Sequence, residues 1–285
     1  MKFDKQNIGT ICINGIFTKK IDIADRGFQF GDGIFETIAF SKDNLEFWSE
    51  HMSRLKKGCK VLSMPCPDLK KIFFKAKKMC KSFNAQGALK LIVSRGIGER
   101  GYKIPEKIKP SWAISLYPWP KFPEANFIQG VNVRKCITTI SRQPLLSRIK
   151  HLNRLEQVLA RSEWKARNIT EGLMCDDKDH VIEGTMSNIF LVKNNNLYTP
   201  NLDFCGIDGI MRNIVIKIAK SKNIKISIQK IKYNELFKAD GLFLVNSLIG
   251  IWPIRRLDNK IYQPIDLTKE IANRLEKITV INRIS

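Results

Sequence analysis

Arg148-Ile149-Lys150-His151-Leu152-Asn153-Arg154-Leu155-Glu156-Gln157-Val158-Leu159-Ala160-Arg161-Ser162 sets one lysine ahead of a run in which Leu152, Leu155 and Leu159 recur at helical spacing, with Val158 widening the stripe. The spacing predicts a helix packed firmly against a core, with Lys150 at its mouth. A lysine anchored at the edge of a core is partly desolvated, which disfavours its ammonium and frees an amine able to form a Schiff base. Taken singly, a lysine is more often a solvated surface residue. The residues elsewhere in the chain decide between the two.

With 285 residues, of which 44% are hydrophobic, the chain can build one large domain or two of moderate size. Its net charge of +22 suggests nucleic acid, an acidic membrane surface or small anionic ligands. The lysines are scattered through Lys56-Lys57, Lys70-Lys71, Lys75, Lys77-Lys78 and Lys217 to Lys232, without a basic tail or an arginine-rich block interleaved with aromatics. Neither a nucleic-acid nor a membrane partner is expected, and the charge is read as steering a small anionic substrate. A basic nucleic-acid-binding protein stays as the rival from another class, and it would bind strands with strong salt dependence and no cofactor.

The 7 cysteines form no Cys-x-x-Cys pair and lie near no histidine at a ligand spacing. Free thiols in a reducing compartment follow. The only histidines, His51, His151 and His180, are far apart, so no metal site is expected. Met1-Lys2-Phe3-Asp4-Lys5-Gln6 lacks the apolar run of a signal peptide, and no stretch reaches membrane-spanning length, which predicts a cytoplasmic protein.

Short β-like runs open the chain at Thr10 to Ile13, Ile16 to Thr18 and Ile34 to Phe40, with an Asn14-Gly15 turn. Helical periodicity follows at Glu50 to Val61 and Asp68 to Phe83, then strands at Ala88 to Ser94 and Trp112 to Tyr117. Pro118, Pro120 and Pro123 suit a connection. The expected organisation is an N-terminal α+β domain over 1–117, a linker over 118–130 and a C-terminal α+β domain over 131–285 that carries Lys150. This last part should hold a strand around Val131 to Cys136 and helices at Gly209 to Ser221 and Leu267 to Lys277.

Three further groups carry chemistry. Gly96-Ile97-Gly98-Glu99-Arg100-Gly101 has the spacing of a dinucleotide-binding loop, but Pro105 and Pro110 forbid the helix that must follow. It reads instead as a flexible loop bringing Arg100 and Tyr102 over a site, or as a surface loop with an idle arginine. Gly206-Ile207-Asp208-Gly209-Ile210-Met211-Arg212 sets glycines before a helical segment, a phosphate cradle or a plain cap. Arg54 and Ser247 could join it, although an arginine at the Arg54 position is ordinarily exposed on its helix. Glu183 interrupts an apolar β stretch, where it needs a cationic partner such as a protonated pyridine, unless it is a solvated hairpin glutamate.

A lysine, a phosphate cradle and a pyridine-facing carboxylate suit pyridoxal phosphate. From Ala24-Asp25-Arg26-Gly27-Phe28-Gln29-Phe30-Gly31-Asp32-Gly33-Ile34-Phe35-Glu36-Thr37 to Asn246-Ser247-Leu248, the chain resembles the class IV (fold type IV) pyridoxal-phosphate enzymes. That group holds branched-chain aminotransferases, D-amino-acid aminotransferases and aminodeoxychorismate lyases. The resemblance implies two α+β domains with pyridoxal 5'-phosphate at their interface, and a homodimer. It implies that Lys150 carries the cofactor, Glu183 binds the pyridine nitrogen, and Arg54, the backbone of Ile210 and Met211, and Ser247 hold the phosphate. Ile149 to Leu159, Val93 to Tyr102, Met211 and Asn246-Ser247-Leu248 are similar to the lyases. Conversion of 4-amino-4-deoxychorismate to 4-aminobenzoate and pyruvate, a step toward folate, is the activity implied. Thr37 would be a proton carrier or substrate contact, while Arg100, Tyr102 and Asn246 would bind substrate. An aminotransferase acting on D-amino or branched-chain acids is the enzymatic alternative.

Overall fold

The computed structural model describes residues 10–279 and Arg283. They fall into two units: residues up to Pro120 together with Ile149–Asn153, and Lys121–Arg148 together with Arg154 onward. Both mix helices with a sheet, as the α+β reading expects.

In the first unit the elements are β1 (Ile11–Ile13), β2 (Ile16–Phe17), α1 (Arg26–Phe30), β3 (Gly33–Ser41), β4 (Asn44–Leu45), α2 (Trp48–Val61), α3 (Leu69–Phe83), β5 (Gln86–Ser94) and β6 (Ser111–Pro118). The strands form one antiparallel sheet in the order β2-β1-β6-β5-β3-β4. Strand alternation places Ile34, Ile38 and Phe40 on one face with Leu89, Leu91, Val93, Ile114 and Leu116, all buried. Met52, Leu55 and Cys59 of α2 and Ile72, Ala76 and Met79 of α3 are buried with them. Asp68 starts α3 by accepting hydrogen bonds from the backbone N–H of Lys70 and Lys71.

The second unit contains α4 (Ala125–Ile128), β7 (Val131–Lys135), α5 (Leu155–Ser162), β8 (Glu171–Cys175), β9 (Val181–Gly184), β10 (Asn188–Lys193), β11 (Asn196–Pro200), α6 (Ile210–Ser221), β12 (Ile226–Gln229), β13 (Gly241–Asn246), β14 (Gly250–Leu257), β15 (Lys260–Ile261) and α7 (Asp266–Ile278). Its sheet runs β12-β11-β10-β13-β14-β7-β8-β9, with β15 against β14. Pairing is parallel at β11–β12, β14–β7 and β7–β8. Trp252 anchors the core, with the rings of Phe122 and Phe127 edge-on to it at 4.9 and 6.1 Å. Part of the proline-rich connection is thereby built into this unit.

Two expectations are corrected. The helix begins at Leu155, and Lys150 lies before it in a stretch tied to β3. Phe35 N–H donates to the Lys150 carbonyl and Leu152 N–H to the Gly33 carbonyl, each at 2.9 Å, and His151 forms a bridge with Ile34. A strand supplies this backbone's partners, so the stretch is not helical, and the lysine expected in the C-terminal domain groups with the N-terminal sheet. The apolar stripe of α5 is not core either. Leu155, Val158 and Leu159 are 70%, 61% and 51% exposed, and only Ala160 of this helix is buried.

Candidate active site

Lys150 is half-buried, and its Nζ stands 4.4 Å from the centroid of the Phe35 ring. The backbone tie to β3 fixes where that amine starts from. Phe35 and Thr37 are two apart on the strand, so both point to the face opposite Glu36, and Thr37 pairs in register with Lys90. That face carries the candidate lysine and the candidate hydroxyl.

Glu36 points the other way, into the row formed by Ile34, Ile38 and Phe40, and is 1% exposed. A bare carboxylate there would be very costly. Arg54 of α2 forks onto it, with Nε 2.9 Å from Oε1 and Nη2 2.5 Å from Oε2, and His51 Nδ1 lies 2.6 Å from Oε2. Burial pushes the Glu36 carboxyl up, but the Arg54 charge and the bonds from His51 and Arg54 outweigh it and bring the group down to about 2. Burial also moves His51 below its ordinary value, with Glu36 opposing and the charges of Arg54 and Lys150 assisting. Arg54, read from sequence as an exposed helical arginine or a phosphate ligand, is thus oriented from β3, with Nη1 on the edge away from the fork.

The glycine-rich loop after β5 has no helix behind it, which removes the dinucleotide reading. Gly96 and Gly101 adopt φ of +92° and +94°. Arg100 is exposed and Tyr102 is 84% exposed, the latter with its ring against Phe30 at 5.3 Å.

In the second unit Glu183 is 4% exposed, so the solvated-hairpin reading fails. Its Oε2 accepts from the Ile207 N–H at 2.8 Å and from Asn188 Nδ2 at 3.4 Å, and Asn188 Nδ2 also donates to the Ile207 carbonyl at 2.9 Å. The partly buried Arg154 contributes a positive charge toward Glu183. Ile207 belongs to the turn that leads into α6. Gly206 there adopts φ +90°, and a Cβ on Gly209 would stand 1.9 Å from Asn188 Oδ1. Gly209 caps α6 without a side chain, so the first-turn N–H groups, those of Ile210 and Met211 among them, meet no capping side chain. Arg212 pins this end by donating to Asp208, Thr199 Oγ1 and the Pro200 carbonyl.

Asn246 shapes the turn that carries Ser247. Its Oδ1 accepts from the N–H of Leu248 and Ile249 at 2.8 and 2.9 Å, and its Nδ2 donates to the Met186 carbonyl at 3.1 Å. Met186 lies in the turn after Glu183, which Glu171 organises from beneath. Buried to 1% exposure, Glu171 accepts from Thr185 Oγ1, Ser187 Oγ and the N–H groups of Gly172, Thr185 and Met186. Burial holds its carboxyl above the usual range despite these bonds. Sequence reasoning missed Glu36, His51 and Glu171. The available signal was a carboxylate on the buried register of a strand, which demands donors from a neighbouring element.

These donor sets fit pyridoxal 5'-phosphate. An amine sits over an aromatic ring, a buried carboxylate can face a pyridinium, and a helix start whose cap is bare glycine can take a phosphate, the anion such N–H groups favour. No helix among the described residues is long and apolar enough to cross a membrane.

Comparison with known proteins places these features in a family. The profile of amino-transferase class IV matches residues 33–257. Aminodeoxychorismate lyase of Vibrio harveyi is 34% identical over 92% of this chain and 98% of its own length. The crystal structure of 4-amino-4-deoxychorismate lyase from Pseudomonas aeruginosa superposes with a TM-score of 0.90 and 38% identity, covering 94% of this chain and 98% of that one. D-alanine aminotransferase of Bacillus licheniformis is 28% identical over 90% of each chain. With a matching profile over most of its length and a solved relative that superposes over nearly all of it, the chain belongs to the class IV aminotransferase family, fold type IV.

Proposed function

We propose that this protein is an aminodeoxychorismate lyase that converts 4-amino-4-deoxychorismate to 4-aminobenzoate and pyruvate, with pyridoxal 5'-phosphate as cofactor. The observation that carries the reading is identity of 34% and 38% to two such lyases across more than nine-tenths of each chain. The 28% relative acting as a D-alanine aminotransferase supports transamination as the second reading.

When bound, the cofactor supplies an electron sink for the carbon that bears the substrate amine. Lys150 would hold the cofactor, and its amine would take the proton from that carbon. Glu183 keeps a proton on the pyridine nitrogen. Arg54, the N–H groups of Ile210 and Met211, and the Ser247 hydroxyl hold the phosphate. Thr37, on the same face of β3 as Phe35, relays a proton or holds substrate. Arg100 and Tyr102 meet the dianionic substrate. Asn246 serves the substrate side through the turn it shapes. The C–H bond at the amine-bearing carbon and the C–O bond to the enolpyruvyl group break, the ring aromatises, and the departing enolpyruvate takes up a proton to become pyruvate, which pulls the reaction forward.

Elimination needs no acceptor, whereas transamination does. Many turnovers of 4-aminobenzoate without added keto acid are expected; a single turnover that stops until keto acid is supplied would contradict the reading. Arg100→Ala should raise the KM for aminodeoxychorismate about tenfold with kcat little changed, as loss of a charge-assisted contact implies. Steady-state kinetics check this, and an unchanged KM removes Arg100 as the carboxylate clamp.

The active form is proposed to be a homodimer. Leu155, Val158 and Leu159 share one exposed face of α5, an apolar stripe suited to a second copy. Leu155→Asp should shift the protein toward monomer in sedimentation. The 7 free cysteines favour a reducing compartment, taken as the cytoplasm.

A further inference from the structure

Arg26, the first residue of α1, is 4% exposed although it is charged. Its Nε donates to Asp32 Oδ2 at 2.9 Å. The other edge of the guanidinium reaches three consecutive carbonyls of the glycine-rich loop: Nη1 donates to Gly101 O at 3.0 Å and Lys103 O at 3.4 Å, and Nη2 to Tyr102 O at 3.3 Å. The group also lies 4.9 Å from the centroid of Phe30, the ring that meets Tyr102. Asp32 is itself gripped by Arg95, through Nε at 2.7 Å and Nη2 at 3.0 Å, so the anion that orients Arg26 is fixed.

Backbone contacts secure the loop's entry. Arg26 N–H donates to Gly96 O at 2.9 Å, Gly98 N–H donates to Ala24 O at 3.2 Å, and Asp25 bridges to Ile97. The glycine spacing follows from this docking. A Cβ at Gly98 would meet Arg26 Cδ at 2.7 Å, one at Gly96 would meet Lys109 O at 2.1 Å, and Gly101 turns at positive φ just where its carbonyl is taken. With the carbonyls of 101–103 drawn onto a buried cation, the side chains of Arg100 and Tyr102 are left at the surface. The loop that sequence reading treats as flexible is strapped at both ends.

We propose that Arg26 is a positioning residue for substrate recognition, fixing the loop that presents Arg100 and Tyr102 without taking part in the chemistry at Lys150. The inference rests on the reading of Arg100 as the substrate clamp. Lysine at this position would keep a charge for Asp32 but lacks the planar fork that spans three carbonyls.

The test uses the cofactor-loaded enzyme carrying Arg26→Lys, Arg100→Ala or both. Arg26→Lys should raise the KM for aminodeoxychorismate about tenfold, leave kcat within about twofold and retain the cofactor's absorbance. In the Arg100→Ala background the same change should raise KM by less than it does in the wild type, because the loop it fixes has already lost one of the two side chains it presents. Hydrogen–deuterium exchange should quicken over 99–104 in Arg26→Lys. An unchanged KM beside a raised KM for Arg100→Ala overturns the inference alone. So do multiplying effects on KM, unaltered exchange in the loop, or a fall in kcat and cofactor content that matches the rise in KM. An Arg100→Ala enzyme with wild-type KM overturns the clamp reading and the inference with it.

Discussion

Lys150→Ala is expected to abolish release of 4-aminobenzoate, with a loss of at least about 10³-fold in kcat, while the fold persists. The residue enters the architecture through its backbone, whose carbonyl accepts from Phe35 N–H, and alanine keeps that bond. What disappears is the amine placed 4.4 Å from the Phe35 ring, the one group proposed both to carry the cofactor and to take the substrate's proton. Circular dichroism and thermal unfolding should match the parent, and product assay should not. Activity within tenfold of wild type would remove Lys150 from the mechanism.

Glu36→Ala should have the largest effect on stability. It leaves the Arg54 guanidinium and the buried His51 without the carboxylate that binds both, and breaking a buried ion pair from one side costs about 3–5 kcal/mol. Arg54 also loses its orienting fork, so cofactor affinity should fall with stability. Glu36→Gln, which preserves shape, should do less damage.

The pH dependence has a definite sign. The folded protein holds Glu36 at about 2, below its ordinary 4.5, so the stabilisation is fully present above 4.5 and is lost as pH falls toward 2. Over that window it amounts to roughly 3 kcal/mol. His51, held below its ordinary 6.5, adds a loss in the same direction as pH falls through 6.5, since the unfolded chain binds that proton first. Denaturant titrations from pH 7 to 3 should show this decline in the wild type and a flatter one in Glu36→Gln. Parallel declines would mean that the Glu36 network does not govern acid stability.

Most elements were legible because local pattern and burial agree. The alternation in β3 and the capped periodicity of α3 each have a partner that accepts what the pattern offers, and the glycine turn before α6 does lead straight into a helix. Ile149–Asn153 misled because leucine spacing looks helical, whereas its backbone partners lie on β3, more than a hundred positions earlier, and local sequence does not encode them. The α5 stripe misled for another reason: apolar residues at helical spacing read as core, whereas Leu155, Val158 and Leu159 are exposed in this chain. Lys150, Glu183 and the turn into α6 could be picked out as residue types out of keeping with their surroundings. Glu36 and Glu171 were signalled only as carboxylates on buried strand registers; what they bind, and the role of His51, come from hydrogen bonds between separate elements. Pro105 and Pro110 correctly foretold that no helix follows the glycine-rich loop, but its tethering to Arg26 needed coordinates.

The central claim is tested most directly by quantifying 4-aminobenzoate and pyruvate together when cofactor-loaded protein is given aminodeoxychorismate without a keto acid, beside the Lys150→Ala control. Equimolar products that continue over many turnovers and vanish in the control are predicted. Well-folded, cofactor-loaded protein that forms neither product, or that transfers the amino group instead, would contradict the lyase assignment.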